Sequence, residues 1–165
     1  MTEAFVAIGS NIEPEAHLRQ AAHLLRERFV NIRFSVCYRN PAFGFIGADF
    51  VNAVAGFDTS LPVGSLITVL REIETQCGRG PADPRWGPRA IDLDLLLYGQ
   101  LVGGGQGYTL PRPDLTRRAY MLGPLAQLAP QLRYPPDGPS VAELWSRFPQ
   151  GPAGLIRIEL DLGSA

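Results

Sequence analysis

The stretch Ile91-Asp92-Leu93-Asp94-Leu95-Leu96-Leu97-Tyr98 decides the fold, and it also carries a chemical pattern. Apolar residues at 91, 93 and 95 alternate with aspartates at 92 and 94. Because side chains alternate between the faces of a strand, the pattern predicts one buried face and two carboxylates on the other.

The segments on the N-terminal side of this strand predict the rest of the sheet. Residues 4–9 form a short apolar run, residues 32–37 alternate, and residues 50–57 are rich in Val, Ala and Phe. Two stretches between these strands have helical spacing, one after Pro14 and one from Pro62 to Gly78. The resulting order β-α-β-β-α-β is the ferredoxin-like unit, an α/β (α+β) fold.

The segments beyond this unit are expected to add smaller elements. Residues 79–90 and 99–113 are rich in Gly and Pro and are predicted to be loops, whereas 120–128 and 141–148 are helical candidates. Residues 156–162 alternate apolar and charged side chains, which predicts an edge strand. With 165 residues, we expect one domain over 1–165, in which 151–165 is a C-terminal strand extension.

Composition excludes several classes of function. The net charge of -1 argues against a general nucleic-acid binder. We find no signal-peptide pattern and no apolar run long enough to span a membrane, so a cytoplasmic protein without a membrane partner is expected. All 15 basic residues are arginine, so any phosphate must be bound by arginine, backbone N–H groups or metal.

The thiols and imidazoles give no sign of a metal site or of a catalytic centre. Cys37 and Cys77 are far apart in the sequence and are interpreted as small buried hydrophobic residues. His17 and His23 lie in one helical stretch without a ligand partner at helical spacing, which is typical of a solvated helix face.

Asp92 and Asp94 are the candidate metal ligands. Two carboxylates on one strand face repel each other, and a cation would relieve that repulsion. Mg²⁺ takes one or two carboxylates and completes its shell with water and phosphate oxygens. A solvated strand face without metal explains the Asp-x-Asp pattern equally well when the pattern is taken alone.

The loop before this strand favours the metal interpretation. It contains Arg79, Arg85 and Arg89, whose guanidinium groups match phosphate oxygens in pairs. Carboxylates beside arginines are the groups that phosphoryl transfer needs when no P-loop is present. Trp86 lies between Arg85 and Arg89 and either packs in the core or closes over an aromatic ligand.

The run Arg-Trp-Gly-Pro-Arg-Ala-Ile-Asp-Leu-Asp at 85–94 resembles the 6-hydroxymethyl-7,8-dihydropterin pyrophosphokinases of folate biosynthesis. The resemblance extends from about residue 4 to residue 135. The other matching segments are 7–11, 38–41, 50–53, 78–79, Pro111, Asp114, Arg118 and 120–122. It implies a three-layer ferredoxin-like fold and transfer of pyrophosphate from ATP to the pterin hydroxymethyl group, with AMP as the second product.

The resemblance also implies which residues handle ATP. Asp92 and Asp94 would hold two Mg²⁺ ions that bridge the triphosphate. Arg79 and Arg89 match catalytic positions that clamp the phosphates, and Arg118 matches another phosphate position. Glu74 and Thr109 match lesser nucleotide contacts.

For the pterin, the resemblance implies an aromatic sandwich and a polar edge. Phe50 and Tyr120 match the two stacking positions, and Asn52 matches the residue that binds the pterin amide edge. Backbone groups around Asn40, Pro41 and Phe43 would complete that edge, with Trp86 as a further substrate contact.

The chain departs from the family pattern at a few positions. Pro81 and Ala82 stand where basic residues are usual, and Tyr120 stands where Phe is usual. Arg112-Pro113 follows Pro111, where His and an aromatic residue or Pro are usual. We therefore assign Arg112 to the nucleotide-binding set as a replacement phosphate donor.

The leading hypothesis is thus a monomeric enzyme that acts on two small molecules, ATP and a reduced pterin. One alternative is a pterin- or nucleotide-binding relative with little turnover and a regulatory role. Another is a ferredoxin-like interaction domain without a ligand, which would leave the paired aspartates and the loop arginines unexplained.

Overall fold

A computed structural model describes residues 1–78, 90–149 and 154–163, and most of its strands lie in one large sheet. The strands are β1 (Thr2–Ser10), β2 (Val30–Phe34), β3 (Cys37–Asn40), β4 (Phe50–Thr59), β5 (Asp92–Tyr98), β6 (Gly103–Gly105), β7 (Tyr108–Leu110) and β8 (Ile156–Ile158). The helices are α1 (Pro14–Arg28), α2 (Val63–Gln76), α3 (Ala119–Leu128) and α4 (Val141–Ser146), with a 3₁₀ turn at Pro113–Thr116.

The large sheet has the ferredoxin-like strand order. Among the described residues the order is β5-β1-β4-β3-β8, with β2 also paired to β4. Every pairing in this sheet is antiparallel, and β1 lies between β4 and β5. The predicted fold class is confirmed, including the added edge strand β8.

Both faces of the sheet are covered, which gives three layers. Alternation along β1 sends Val6 and Ile8 toward α1 and α2, and sends Phe5 and Ala7 toward α3 and α4. The first core is completed by Leu18, Leu25, Leu66, Leu70, Ile73, Leu93 and Leu95, and the second by Val54, Leu97, Met121, Leu122, Leu125 and Val141. Within the described residues, every helix is too short or too polar to span a bilayer.

The strand predicted over 32–37 is divided into β2 and β3 in the structure. Phe34 pairs with Ala55 and Tyr38 pairs with Asn52. Between these two pairs, the β2–β3 segment therefore contains one residue more than β4. Ser35 lies at the break, where its N–H donates to Val54 O and its Oγ accepts from Val54 N, both at 2.8 Å. The Ser35 hydroxyl therefore replaces a main-chain acceptor in the pairing with β4, at a local irregularity of the kind seen in a β-bulge.

Two other boundaries differ from the sequence prediction. The segment 99–113, predicted to be a loop, contains the β6–β7 hairpin and part of the 3₁₀ turn. Only 156–158 of the predicted strand 156–162 pairs with β3. The strands of the hairpin have three residues each, which is too short to show a hydrophobic period, and the alternation over 156–162 extends beyond the three residues that pair with β3.

Candidate active site

Asp92 and Asp94 lie on the sheet face that carries α3. Ile91 and Leu93 are fully buried and Leu95 nearly so, in the core under α1 and α2, so the two aspartates between them point the other way. In the antiparallel register, Asp92 is opposite Gly9 of β1 and Asp94 is opposite Ala7. The predicted shared face of the two carboxylates is what the strand produces.

Gly9 forms the floor between the predicted metal ligands and the predicted pterin-binding amide. It pairs with Asp92 on one side and with Asn52 of β4 on the other, so all three residues face α3. A Cβ at position 9 would lie 2.6 Å from Asn52 Oδ1, a distance that real Cβ atoms do not tolerate. With glycine here, the Asn52 amide can lie directly against the main chain at position 9, and a larger residue would push that amide away.

Asn52 is held in place by a small buried network. Its Nδ2 donates to Asn40 Oδ1 at 2.5 Å, and Asn40 Nδ2 donates to Pro41 O at 3.0 Å. Asn52 and Asn40 are 7% and 8% exposed, so these bonds have little competition from solvent. The network links β4 to the start of the 41–49 loop, as expected if both contribute to one edge-binding site.

Asp94 is electrostatically crowded. Burial, then the neighbouring Asp92, raises the pKa of its carboxyl to about 7, while Arg112 and Arg71 act in the opposite direction and Glu74 adds to the rise. Arg112 Nη2 lies 3.6 Å from Asp94 Oδ1 and 3.9 Å from Asp114 Oδ2. A cation placed between Asp92 and Asp94 would relieve this crowding.

Two arginines near the site each have an N–H donor that is not used in a hydrogen bond within the described residues. Among the described residues, Arg112 Nε and Arg118 Nε are buried and have no hydrogen-bond partner. The main chain of Arg112 is fixed because its N–H donates to Leu96 O of β5 at 3.0 Å. The Arg118 guanidinium carbon lies 3.9 Å from the centre of the Phe43 ring. Unused buried N–H donors beside carboxylates are suited to an anionic ligand that also carries metal.

The predicted stacking residues lie at this same face. Tyr120 is in the first turn of α3, where burial raises the pKa of its hydroxyl, Arg118 lowers it, and Asp114, Asp94 and Asp92 raise it. Phe50 begins β4 and meets Phe45 edge-on, with ring centres 6.2 Å apart. The sequence reasoning missed Phe45, whose only signal was an aromatic residue inside a Gly-rich loop.

Other predicted nucleotide residues have different positions. Thr109 is exposed on β7. Glu74 is buried on the α2 side of β5, where it bonds to Arg71 and to the Leu93 main chain. Arg79, Arg89 and Trp86, together with Arg85, Pro81 and Ala82, lie outside the described residues.

The donor set at Asp92 and Asp94 fits Mg²⁺. The described part of the chain contains no group of three or more His, Cys, Asp or Glu side chains suited to a metal ion. Two carboxylates are nevertheless what Mg²⁺ takes from a protein when phosphate and water oxygens complete its shell. Gly9, which is opposite Asp92 in the register, has no side chain that would take up space beside this carboxylate.

Ser10 and Asn11 also belong to the site region, and sequence reasoning did not assign them a role. The same holds for Arg71, which acts on the Asp94 carboxyl. Asn11 is 7% exposed and its Nδ2 donates to Ala48 O at 3.2 Å, which ties the end of β1 to the 41–49 loop. Ser10 is fully buried beside it. A Gly-Ser-Asn turn directly after a buried strand was the available signal for these two residues.

Comparisons with known proteins bear on the family of this chain. Residues 5–130 match the model of the 7,8-dihydro-6-hydroxymethylpterin-pyrophosphokinase (HPPK) family. A 2-amino-4-hydroxy-6-hydroxymethyldihydropteridine pyrophosphokinase of Pseudomonas aeruginosa is 40% identical over 151 residues, covering 88% of this chain and 91% of the relative. One of the same name from Methylorubrum extorquens is 35% identical over 163 residues, covering 96% and 100%.

Two solved structures that share this fold belong to larger proteins. Plasmodium falciparum HPPK-DHPS with pteroate superposes with a TM-score of 0.67 at 12% identity, covering 89% of this chain and 44% of that one. The A437G form with STZ-DHP superposes with a TM-score of 0.70 at 12% identity, covering 89% of this chain and 45% of that one. This likeness concerns the fold, and this chain spans less than half of those two-part proteins.

The family match and the two bacterial relatives confirm the resemblance first drawn from residues 85–94. The matched region includes the part of β1 that carries Gly9, together with β4 and Asn52 and β5 with both aspartates. This chain belongs to the 7,8-dihydro-6-hydroxymethylpterin-pyrophosphokinase family.

Proposed function

We propose that this chain transfers pyrophosphate from ATP to 6-hydroxymethyl-7,8-dihydropterin in folate biosynthesis. The observation that carries the proposal is the register at Gly9, which places Asn52 and Asp92 on either side of one glycine. Binding of the pterin edge at Asn52 would bring its hydroxymethyl group toward the carboxylates that face ATP. Acceptor and donor would then meet on the same sheet face.

The reaction requires one bond to form and one to break. The hydroxymethyl oxygen bonds to the β-phosphorus, the bond from that phosphorus to the oxygen bridging the α-phosphate breaks, and AMP leaves with the bridging oxygen. The hydroxyl proton passes to solvent. Catalysis of such transfers rests mainly on positioning and on stabilisation of charge.

Asp92 and Asp94 would hold Mg²⁺, for which two ions are proposed. When bound, Mg²⁺ supplies neutralisation of the triphosphate charge and makes the β-phosphorus easier to attack. The crowding of the two carboxylates in this structure supports this assignment, because it disfavours the ionised pair without a cation.

The arginines would bind the phosphates. Arg112 and Arg118 each have a buried Nε donor without a partner in the described part of the chain, so an anion would satisfy them. Arg79 and Arg89 are assigned to the phosphate clamp by the family motif alone. Thr109 is proposed as a minor nucleotide contact on the same basis.

The pterin would lie between aromatic rings and against a polar edge. Phe50 and Tyr120 supply the rings, and flat ligands favour such a sandwich. Asn52 supplies an amide, already oriented by Asn40, for the pterin amide. Main-chain groups near Pro41 and Phe43 complete the edge, and Trp86 is proposed to cover it.

The regulatory, low-turnover alternative receives no support from the family match or from the relatives, which are named as pyrophosphokinases. The ligand-free alternative leaves the unused arginine donors unexplained. A cytoplasmic location, a monomeric state, a single domain and the lack of a nucleic-acid partner stay predictions.

Product analysis tests the proposal. The protein is incubated with ATP, Mg²⁺ and the reduced pterin, and we expect AMP and the pterin pyrophosphate in equal amounts. An ATP analogue with a methylene group between the α- and β-phosphorus must give no product, because the bond that breaks is then missing. ADP as product, or no product from ATP, would refute the proposal.

A matched pair of variants connects the activity to the site. Asp92→Asn should abolish AMP formation, whereas Asp58→Asn should leave it unchanged. Asp58 is on β4, where its carboxylate accepts from Asn31 Nδ2 at 2.8 Å, outside the site. Equal activity in both variants would remove the metal role of Asp92.

A further inference from the structure

Strand β5 is held on its outer edge by two charged side chains of helix α2. Glu74 Oε2 accepts from Leu93 N at 2.8 Å, and Arg71 Nη1 donates to Leu93 O at 3.1 Å. The same Arg71 nitrogen donates to Glu74 Oε1 at 2.6 Å. The three contacts close a ring around the main chain of one residue, and we name this ring the Leu93 clamp.

Among the described residues, β5 pairs only with β1, and the Leu93 clamp supplies hydrogen bonds on its other side. Leu93 is opposite Ile8 of β1, and the residues on either side, Asp92 and Asp94, are opposite Gly9 and Ala7. In an antiparallel pair, successive residues turn their N–H and C=O groups alternately toward and away from the partner. The main-chain N–H and C=O of Leu93 point away from β1, so those of Asp92 and Asp94 point toward β1. This part of β5 is therefore hydrogen-bonded on both sides.

The burial of Glu74 indicates a specific role. Its side chain is 3% exposed and lies on the inward face of α2 with Leu70 and Ile73. A carboxylate in such a position is costly unless it is paired and hydrogen-bonded. Both of its oxygens accept bonds from within the protein, and Leu93 is itself fully buried.

We propose that Arg71 and Glu74 are positioning residues that fix the main chain between Asp92 and Asp94, so that both carboxylates leave the sheet at a set spacing. The inference rests on the proposed function, because it takes these aspartates as the Mg²⁺ ligands. The positioning is exerted through the main chain of Leu93, and the opposite effects of Arg71 and Glu74 on the Asp94 carboxyl partly offset each other. Outer groups that orient metal ligands commonly govern metal affinity.

This role differs from the direct nucleotide contact that the resemblance implies for Glu74. A direct contact would matter for nucleotide binding with or without metal. A positioning role would matter only when metal is present, and it would require Arg71 as much as Glu74.

The test compares Glu74→Ala, Glu74→Gln and Arg71→Met in the full chain. Glu72→Gln is the matched control, since Glu72 lies on the same helix and its ion pair with Arg28, at 3.5 Å, is exposed. Hydrogen exchange at the Leu93 amide reports the clamp. Electron paramagnetic resonance with Mn²⁺ and α,β-methylene ATP reports metal affinity, and calorimetry reports nucleotide affinity without metal.

We expect Glu74→Ala to speed exchange at Leu93 and to weaken Mn²⁺ affinity about 10-fold or more. Glu74→Gln keeps an oxygen for Leu93 N–H, so its loss should be smaller. Arg71→Met should also weaken Mn²⁺ affinity, and Glu72→Gln should match the unmodified protein. Nucleotide affinity without metal should stay within about 2-fold throughout, well below the loss from a direct hydrogen bond to a charged group.

Two results would overturn the proposal. One is faster exchange at Leu93 with unchanged Mn²⁺ affinity, and the other is an equal loss of nucleotide affinity with and without metal. If Glu74→Ala does not fold, Glu74→Gln and Arg71→Met still decide the question, because Arg71→Met keeps the Glu74 partner of Leu93 and Glu74→Gln keeps an oxygen acceptor as well as Arg71. Failure of the proposed function would appear separately, as absence of AMP formation by the unmodified protein.

Discussion

Replacing Asp94 with asparagine should stabilise the ligand-free protein at neutral and alkaline pH while removing its activity. The carboxyl is 14% exposed, and burial together with Asp92 raises its pKa from 3.8 to about 7. Asparagine has nearly the same shape and carries no charge. The variant therefore removes the cost of ionising this group in the folded state.

The sign of the effect follows from the direction of the shift. Below about pH 4 the group is protonated in both the folded and the unfolded chain, so it adds no pH-dependent penalty. Between about pH 4 and 7 the unfolded chain releases its proton while the folded chain keeps it, and the free energy of unfolding falls. At about 1.4 kcal/mol per pKa unit, the full penalty reaches at most about 4 kcal/mol above pH 7.

Urea unfolding of both proteins between pH 4 and 8.5, without Mg²⁺ or nucleotide, measures this penalty. The advantage of Asp94→Asn should grow by about 2–4 kcal/mol across that range. Asp58→Asn is the control for loss of a strand carboxylate elsewhere in the sheet. A difference between Asp94→Asn and the unmodified protein that is constant with pH, or that shrinks as pH rises, would show that Asp94 is not crowded as described.

Three further predictions concern substrates. Asn52→Ala should weaken pterin binding by about 1–3 kcal/mol and leave ATP binding nearly unchanged, as calorimetry with each ligand would show, because only the pterin edge loses its amide partner; equal losses for both ligands would mean that Asn52 is structural. Gly9→Ala should lose at least as much pterin affinity, because the added Cβ would lie 2.6 Å from Asn52 Oδ1 and would force that amide to move. Unchanged pterin affinity would show that Gly9 is not part of the site. Arg112→Ala should reduce ATP affinity or turnover by about 1.5–3 kcal/mol, with partial recovery in Arg112→His, whereas an unaffected ATP affinity and rate would end the idea that Arg112 binds phosphate.

Hydrophobic periodicity was sufficient to predict the fold. Alternation in β5 and helical spacing in α1 and α2 reflect burial on one face, and burial is what those patterns record. The same alternation predicted that Asp92 and Asp94 share a face. The division at Ser35 could not be predicted in this way, because it depends on a hydroxyl bonding to the main chain of another strand.

The arrangement of the site depended on strand register, which the sequence pattern does not contain. The motif gave Gly9, Asn52 and Asp92 as separate matches, and only the pairing of β1 with both neighbours placed the glycine between the other two. Arg71 and Glu74 could be paired from their spacing along a helix. Their bond to Leu93 could not, because a main-chain partner leaves no mark in the side-chain sequence.

The arginine at position 112 has a consequence for charge balance that a histidine would not have. Its guanidinium lies 3.6 Å from Asp94 and lowers the pKa of that carboxyl, against the effects of burial and Asp92. A histidine is largely neutral at pH 7 and would give Asp94 little of this support. With Mg²⁺ held by the carboxylates, the guanidinium would no longer be needed there, and Arg112 would be available to the triphosphate. The same residue can therefore stabilise the ligand-free site and bind the nucleotide, which is how one arginine would compensate for the basic residues missing at Pro81 and Ala82.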